Sequence, residues 1–163
     1  MSTPFLDEVY ARVDFDRELV FKFFTVFSLF EYALKRAGFA RTGGSNEAQP
    51  HWDRFAISIH SRFNQNQTPE LAVAVQYMLD RPVMKQVVED RIIGFEPRAR
   101  RPNQNDCVWL SVLIRGVRNN LFHGGKFRYD RPRDPDLIEY SLVILESWAQ
   151  LHPDVEQELK YVQ

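Results

Sequence analysis

The sequence predicts an all-α protein, an up-and-down helical bundle with additional short helices. Three observations carry that expectation. Apolar residues recur at three- and four-residue spacing through long runs, the period of a helix face and not of a strand. Those runs open on side chains that cap helices and close on glycine or proline. With 163 residues, 44% of them hydrophobic and 13 of them phenylalanine, the chain has material for a real core. No internal repeat or composition break divides it, so residues 1–163 are expected to form a single helical domain.

Residues 1–13 predict a short lead-in helix or turn. Asp14 or Asp16 then caps a long helix that runs to Ala37, with Gly38 as its stop. Val20, Phe23, Phe24, Phe27, Phe30 and Leu34 form its stripe, and Phe21, Val26, Leu29 and Ala33 widen it until little polar surface remains. Glu31 interrupts the densest part. It is either a carboxylate that needs a partner on burial or an outward residue paired with Lys35 four positions on.

Residues 39–50 predict a loop from their Gly, Ser, Asn and Pro content, and residues 51–63 an amphipathic helix. Thr68-Pro69 starts another helix, with threonine as cap and proline at the first helical position, running to Leu79. A short helix is expected over residues 83–90 and a long loop over 91–105. Asn105 or Asp106 caps the next helix, Cys107 to Phe122. Its β-branched residues would also suit a strand, but its length and lack of alternation favour a helix. A basic, proline-containing connector over 126–135 leads to a helix through Gln150, and residues 154–162 form a last short helix or tail.

Composition excludes several classes. One cysteine, Cys107, allows no internal disulfide and points to a reducing compartment. The stretch Met1 to Glu8 lacks the basic-then-apolar order of a secretory signal, and charges interrupt every apolar run short of a membrane span, so a cytoplasmic location is expected. His51, His60 and His152 lack metal-ligand spacing, and neither a metal nor a cofactor is expected. Cys107 and His123 lie at opposite ends of one helix, too far apart for a thiol–imidazole couple.

The net charge of −1 is unevenly spread. Arg98 to Arg133 holds nine basic and two acidic residues, a local +7 against −8 for the remainder. A basic segment in an otherwise acidic chain predicts a polyanionic partner at one face; the plainer account pairs these arginines with acidic helices elsewhere. Within this segment Arg118 and His123 stand five residues apart. Five helical steps turn the chain by about 140°, so the two share a face only if the last turn unwinds, which Gly124 and Gly125 permit. A permanent cation beside an imidazole at a helix C-terminus supplies what metal-free RNA cleavage requires. Alternatively, Arg118 pairs with an acid such as Glu31 and His123 only caps the helix.

The stretch Val117-Arg118-Asn119-Asn120-Leu121-Phe122-His123-Gly124-Gly125-Lys126 resembles the signature of the HEPN superfamily, an arginine, often followed by a polar residue, four to six positions before a histidine. Phe27 to Gly38 is similar to the first long helix of several uncharacterised bacterial HEPN-like families, while residues 40–105 match nothing in it. The resemblance implies a helical bundle that dimerises with two motifs facing one cleft. It also implies a metal-independent endoribonuclease acting as a toxin or in antiviral defence, with a protein antitoxin as a further partner. Carried over by position, Arg118 and His123 are the catalytic pair, Asn119 is the polar residue after the arginine, and Glu31 is a partner for Arg118. Arg115, Asn120, Lys126 and Arg128 are the candidates for RNA contact. The toxin branch that is silenced by modification of a tyrosine carries it two residues after the histidine; this chain has Gly125 there, and its next tyrosine is Tyr129. Two other expectations compete: a non-catalytic HEPN-type module that binds nucleotide, RNA or a protein, and a purely structural bundle.

Overall fold

The structure is a computed structural model that describes residues 3–12, 16–122 and 133–161. Among these residues seven α-helices alternate with two antiparallel hairpins: α1 (Pro4–Ala11), α2 (Arg17–Arg36), β1 (Ala40–Thr42), β2 (Ala48–Pro50), α3 (Trp52–Ile59), α4 (Pro69–Asp80), β3 (Lys85–Glu89), β4 (Ile92–Glu96), α5 (Asp106–Phe122), α6 (Arg133–Ala149) and α7 (Pro153–Lys160). The fold is mostly helical, as the periodicity predicts, but it is not purely α.

The helix boundaries follow local chemistry. The Asp16 carboxylate accepts from the Leu19 N–H at 3.0 Å, Thr68 Oγ1 from Leu71 at 3.1 Å, and Asn105 Oδ1 from Val108 at 2.9 Å. At the end of α2, Gly38 takes φ +86° and lets the Phe39 N–H reach back to the Leu34 carbonyl at 2.8 Å, closing the helix.

Both hairpins correct the sequence reading. Residues 39–50 are paired, not a loop: Ala40 faces Pro50 and Thr42 faces Ala48. Residues 83–90 are not a helix, and the segment after them is not all loop: Lys85 faces Glu96 and Glu89 faces Ile92. Asp90 and Arg91 make the second turn with φ of 49° and 66°. Both central residues are left-handed, as in the tight turns that match strand twist, but without the glycine or asparagine that usually announces one. Val88, Ile92 and Ile93 remain exposed, so no alternation of buried and exposed side chains marks these strands.

One hydrophobic cluster draws on every helix from α2 to α7. Trp52 is wedged between Phe27 and Phe30, both ring centroids 5.4 Å away, and Phe55 extends the aromatic stack toward Trp148. The α2 stripe is narrower than predicted. Phe23, Phe27, Phe30 and Leu34 are buried, but Phe21 is 69% and Phe24 47% exposed; Phe24 meets the Phe122 ring edge-on at 5.3 Å. Among the described residues no helix is long and apolar enough to cross a membrane.

Cys107 is fully buried in the first turn of α5. Burial pushes its thiol pKa up to about 12, and the neighbouring Asp106 charge adds to the shift. The native protein is therefore expected to resist a thiol reagent at pH 8 and to react only on unfolding; fast labelling of native protein would contradict this burial. Because the folded pKa lies above that of an open thiol, this group's contribution is complete below about pH 8.5. It fades as pH rises toward 12.

Candidate functional site

Helix α5 is the spine of the site. Its buried stripe includes Leu110, Leu113, Ile114, Val117 and Leu121. Its opposite side presents Val112, Arg115, Gly116, Arg118 and Asn119 to a cavity of about 540 Å³. Phe27 and Glu31 of α2 form one wall, Arg41, Gln49 and Pro50 of the first hairpin another, and Arg98 and Arg101 a third. An adjoining pocket of about 330 Å³ shares Arg41, Trp52, Arg101 and Arg115, and extends past His51, Asp53 and Gln104. Five guanidinium groups thus face two carboxylates across one continuous cleft.

Arg118 is held from several sides. Its Nη2 lies 3.5 Å from Glu31 Oε2, and its Nη1–H donates to Asn119 Oδ1 at 2.9 Å. The guanidinium carbon is 5.2 Å from the Phe27 ring centroid, within range of a cation–π contact. One third of the side chain still reaches solvent. Glu31, only 21% exposed, accepts from the Trp52 indole N–H at 3.0 Å with its other oxygen. The choice left open by the sequence is thereby decided: Glu31 pairs inward with Trp52 and Arg118, not outward with Lys35. Trp52 is fixed by the aromatic core, so the indole sets the carboxylate and the carboxylate sets the arginine.

Arg115 lies one turn earlier. Its Nε–H donates to the Ser111 carbonyl at 3.1 Å, and its Nη2 approaches Asp53 Oδ1 at 3.3 Å. Burial lowers its pKa; the Asp53 charge opposes that shift, and the nearby Arg41 and Arg98 add to it. Arginine nonetheless stays cationic.

Asn119 faces the cleft. Asn120 does not: it is 2% exposed and donates Nδ2–H to the Met84 carbonyl at 2.8 Å, tying α5 to the segment before β3. Its expected place at an RNA surface is corrected to a structural one, because position 120 falls on the buried stripe with Val117 and Leu121. His123, Lys126 and Arg128 lie outside the described residues; α5 is described to Phe122, the residue before His123. Arg118, Asn119, Glu31 and Arg115 thus line one cleft, whereas Asn120 lies on the buried face of α5.

Other residues of the cleft were not legible in advance. Arg98 and Arg101 stood in the basic segment with no role to separate them from their neighbours, and Arg41 carried no signal. Gly116 also escaped notice. A Cβ there would meet Val83 Cγ1 at 2.7 Å, Arg98 Nε at 2.9 Å and Arg98 Nη2 at 3.0 Å. Alanine in a helix interior is ordinarily favoured over glycine by about 1 kcal/mol. Here Gly116→Ala is expected instead to destabilise by about 1–3 kcal/mol through overpacking, read as a lowered denaturation midpoint. A raised midpoint would show that the contact is loose.

Among the described residues no group of three His, Cys, Asp or Glu side chains is placed to hold a metal ion. Comparison with protein-family models, with curated proteins and with solved structures finds no match, so the cleft's chemistry is read from its own side chains.

Proposed function

We propose that this chain is a metal-independent endoribonuclease of HEPN type, an up-and-down helical bundle elaborated by two hairpins, with the arginine cleft as its RNA-binding surface. The observation that carries the reading is Arg118, oriented by Glu31 on the wall of a cleft where arginines outnumber carboxylates five to two. Neutral substrates have no use for such an excess of positive charge, whereas a phosphodiester strand does.

In this mechanism the 2′-oxygen of a ribose attacks the adjacent phosphorus, forming the O2′–P bond as the P–O5′ bond breaks. The His123 imidazole takes the 2′-hydroxyl proton, and an imidazolium returns a proton to the departing 5′-oxygen. In a homodimer joined at the motif-bearing face, the two copies of His123 supply both transfers. Arg118 stabilises the charge that builds on the non-bridging oxygens, with Asn119 holding one edge of its guanidinium. The products are a 2′,3′-cyclic phosphate and a 5′-hydroxyl. A toxin or antiviral-defence effector in the cytoplasm, held in check by an antitoxin protein, is the biological setting this reading fits. With Gly125 two residues after His123, that check would not act through a tyrosine at this position.

One observation favours a second reading. Arg118 is ion-paired and hydrogen-bonded within its own chain, as in a non-catalytic module that binds nucleotide, RNA or a protein partner. The two readings separate on incubation of RNA with purified protein in EDTA. Fragments ending in 2′,3′-cyclic phosphate support the nuclease, and binding without cleavage supports the module.

A further inference from the structure

Arginines around the cleft divide into two groups. Arg100 pairs with Asp106 at 2.6 Å, Arg115 with Asp53 and Arg118 with Glu31. The guanidinium groups of Arg41, Arg98 and Arg101 have neither ion pair nor hydrogen-bond acceptor among the described residues, although all three line the same cavity.

Arg98 is the most telling. Its Nε is buried without a hydrogen-bond partner, and desolvation lowers its pKa below the usual guanidinium range. A buried donor left unpaired is unfavourable, and here it belongs to a cation lying against α5 where Gly116 has no side chain. The segment that presents it is tied down. Arg100 donates to the Gln104 carbonyl and to Asp106, the Arg101 N–H donates to Gln104 Oε1 at 3.2 Å, and Asn105 caps α5. Arg41 arrives from β1, opposite Gln49 in the register. Three like charges from two separate segments thus line one cavity with no ion-pair partner among the described residues.

We propose that Arg41, Arg98 and Arg101 form a phosphate-binding subsite, separate from Arg118, that holds a backbone phosphate flanking the one cleaved. The inference rests on the RNA reading above. Guanidinium forks match phosphate oxygens and bind them in pairs. The neighbouring pocket of about 330 Å³, edged by Pro50, His51 and Gln104, has room for the nucleoside attached to that phosphate. Cleavage would therefore require a strand extending beyond the scissile dinucleotide.

The test uses a fluorescent 2′-O-methyl oligoribonucleotide, which lacks the attacking hydroxyl and so reports binding alone. Anisotropy titrations over a series of KCl concentrations compare wild type with R41Q, R101Q and the double variant. Both positions are exposed, and matching thermal melts establish that the variants fold. The double variant is expected to lose about tenfold or more in affinity at moderate salt, with the slope of log K against log salt shallower by about 0.7 for each lost contact. If the oligonucleotide binds wild type and the double variant with equal affinity and slope, the subsite is wrong and the RNA reading stands. A second arm titrates inorganic phosphate while following arginine Nε–Hε resonances. If phosphate shifts the Arg98 and Arg101 signals but the oligonucleotide does not bind, the subsite serves a free phosphate and the RNA reading falls. If neither ligand binds, both proposals fall.

Discussion

RNA incubated with the purified protein in EDTA is expected to be cut to fragments with 2′,3′-cyclic phosphate ends, and His123→Ala and Arg118→Ala are each expected to abolish the cut. Loss of a positioned acid–base group costs about 10²–10⁴ in rate, and loss of a preorganised donor to a developing oxyanion about 10²–10³. The two changes should not multiply in the double variant, because proton transfer and charge stabilisation serve one transition state. Binding should divide differently. Arg118→Ala removes a permanent cation from the cleft and should weaken binding of the 2′-O-methyl strand, whereas His123→Ala, which removes the proton-transfer group, should weaken it less. Cleavage that survives both substitutions would sink the nuclease assignment.

Trp52 is expected to produce the largest loss of stability. It fills the space between Phe27 and Phe30 and is 2% exposed, so Trp52→Ala should cost about 3–5 kcal/mol. That is a large share of the roughly 5–15 kcal/mol that holds a domain together, and the variant should melt far below wild type or fail to fold. Trp52→Phe separates packing from hydrogen bonding. It keeps most of the aromatic contact but removes the indole N–H that Glu31 Oε1 accepts at 3.0 Å. A stability loss of about 1 kcal/mol is expected for that bond, together with about a tenfold drop in kcat, equivalent to 1.4 kcal/mol of transition-state stabilisation. If Trp52→Phe cleaves RNA at the wild-type rate, Glu31 does not depend on the indole to orient Arg118.

What could be read in advance was what neighbouring residues decide together. Asp16, Thr68 and Asn105 cap their helices because the N–H groups they satisfy lie three residues away. Gly38 ends α2 because only it adopts the left-handed turn cheaply. Arg118 and Glu31 stand out by residue type and position, and these two do meet. Even the error at Asn120 was avoidable, since it falls on the stripe that also holds Val117 and Leu121. The hairpins were harder. Each strand is five residues or fewer, and the Asp90-Arg91 turn has arginine where glycine would ordinarily mark the second left-handed position.

The sequence by itself determined where α2, α4 and α5 begin, where α2 stops and where positive charge collects, since each depends on residues a turn or two apart. Only the tertiary structure decided which arginines have partners. Glu31 is 21 residues from Trp52 and 87 from Arg118, while Arg98 reaches its place only where Gly116 leaves room for it. Water and salt screen charges that lie far apart, and only close partners pair, so whether a surface arginine is neutralised or left to bind an anion depends on contacts that arise only when the helices pack.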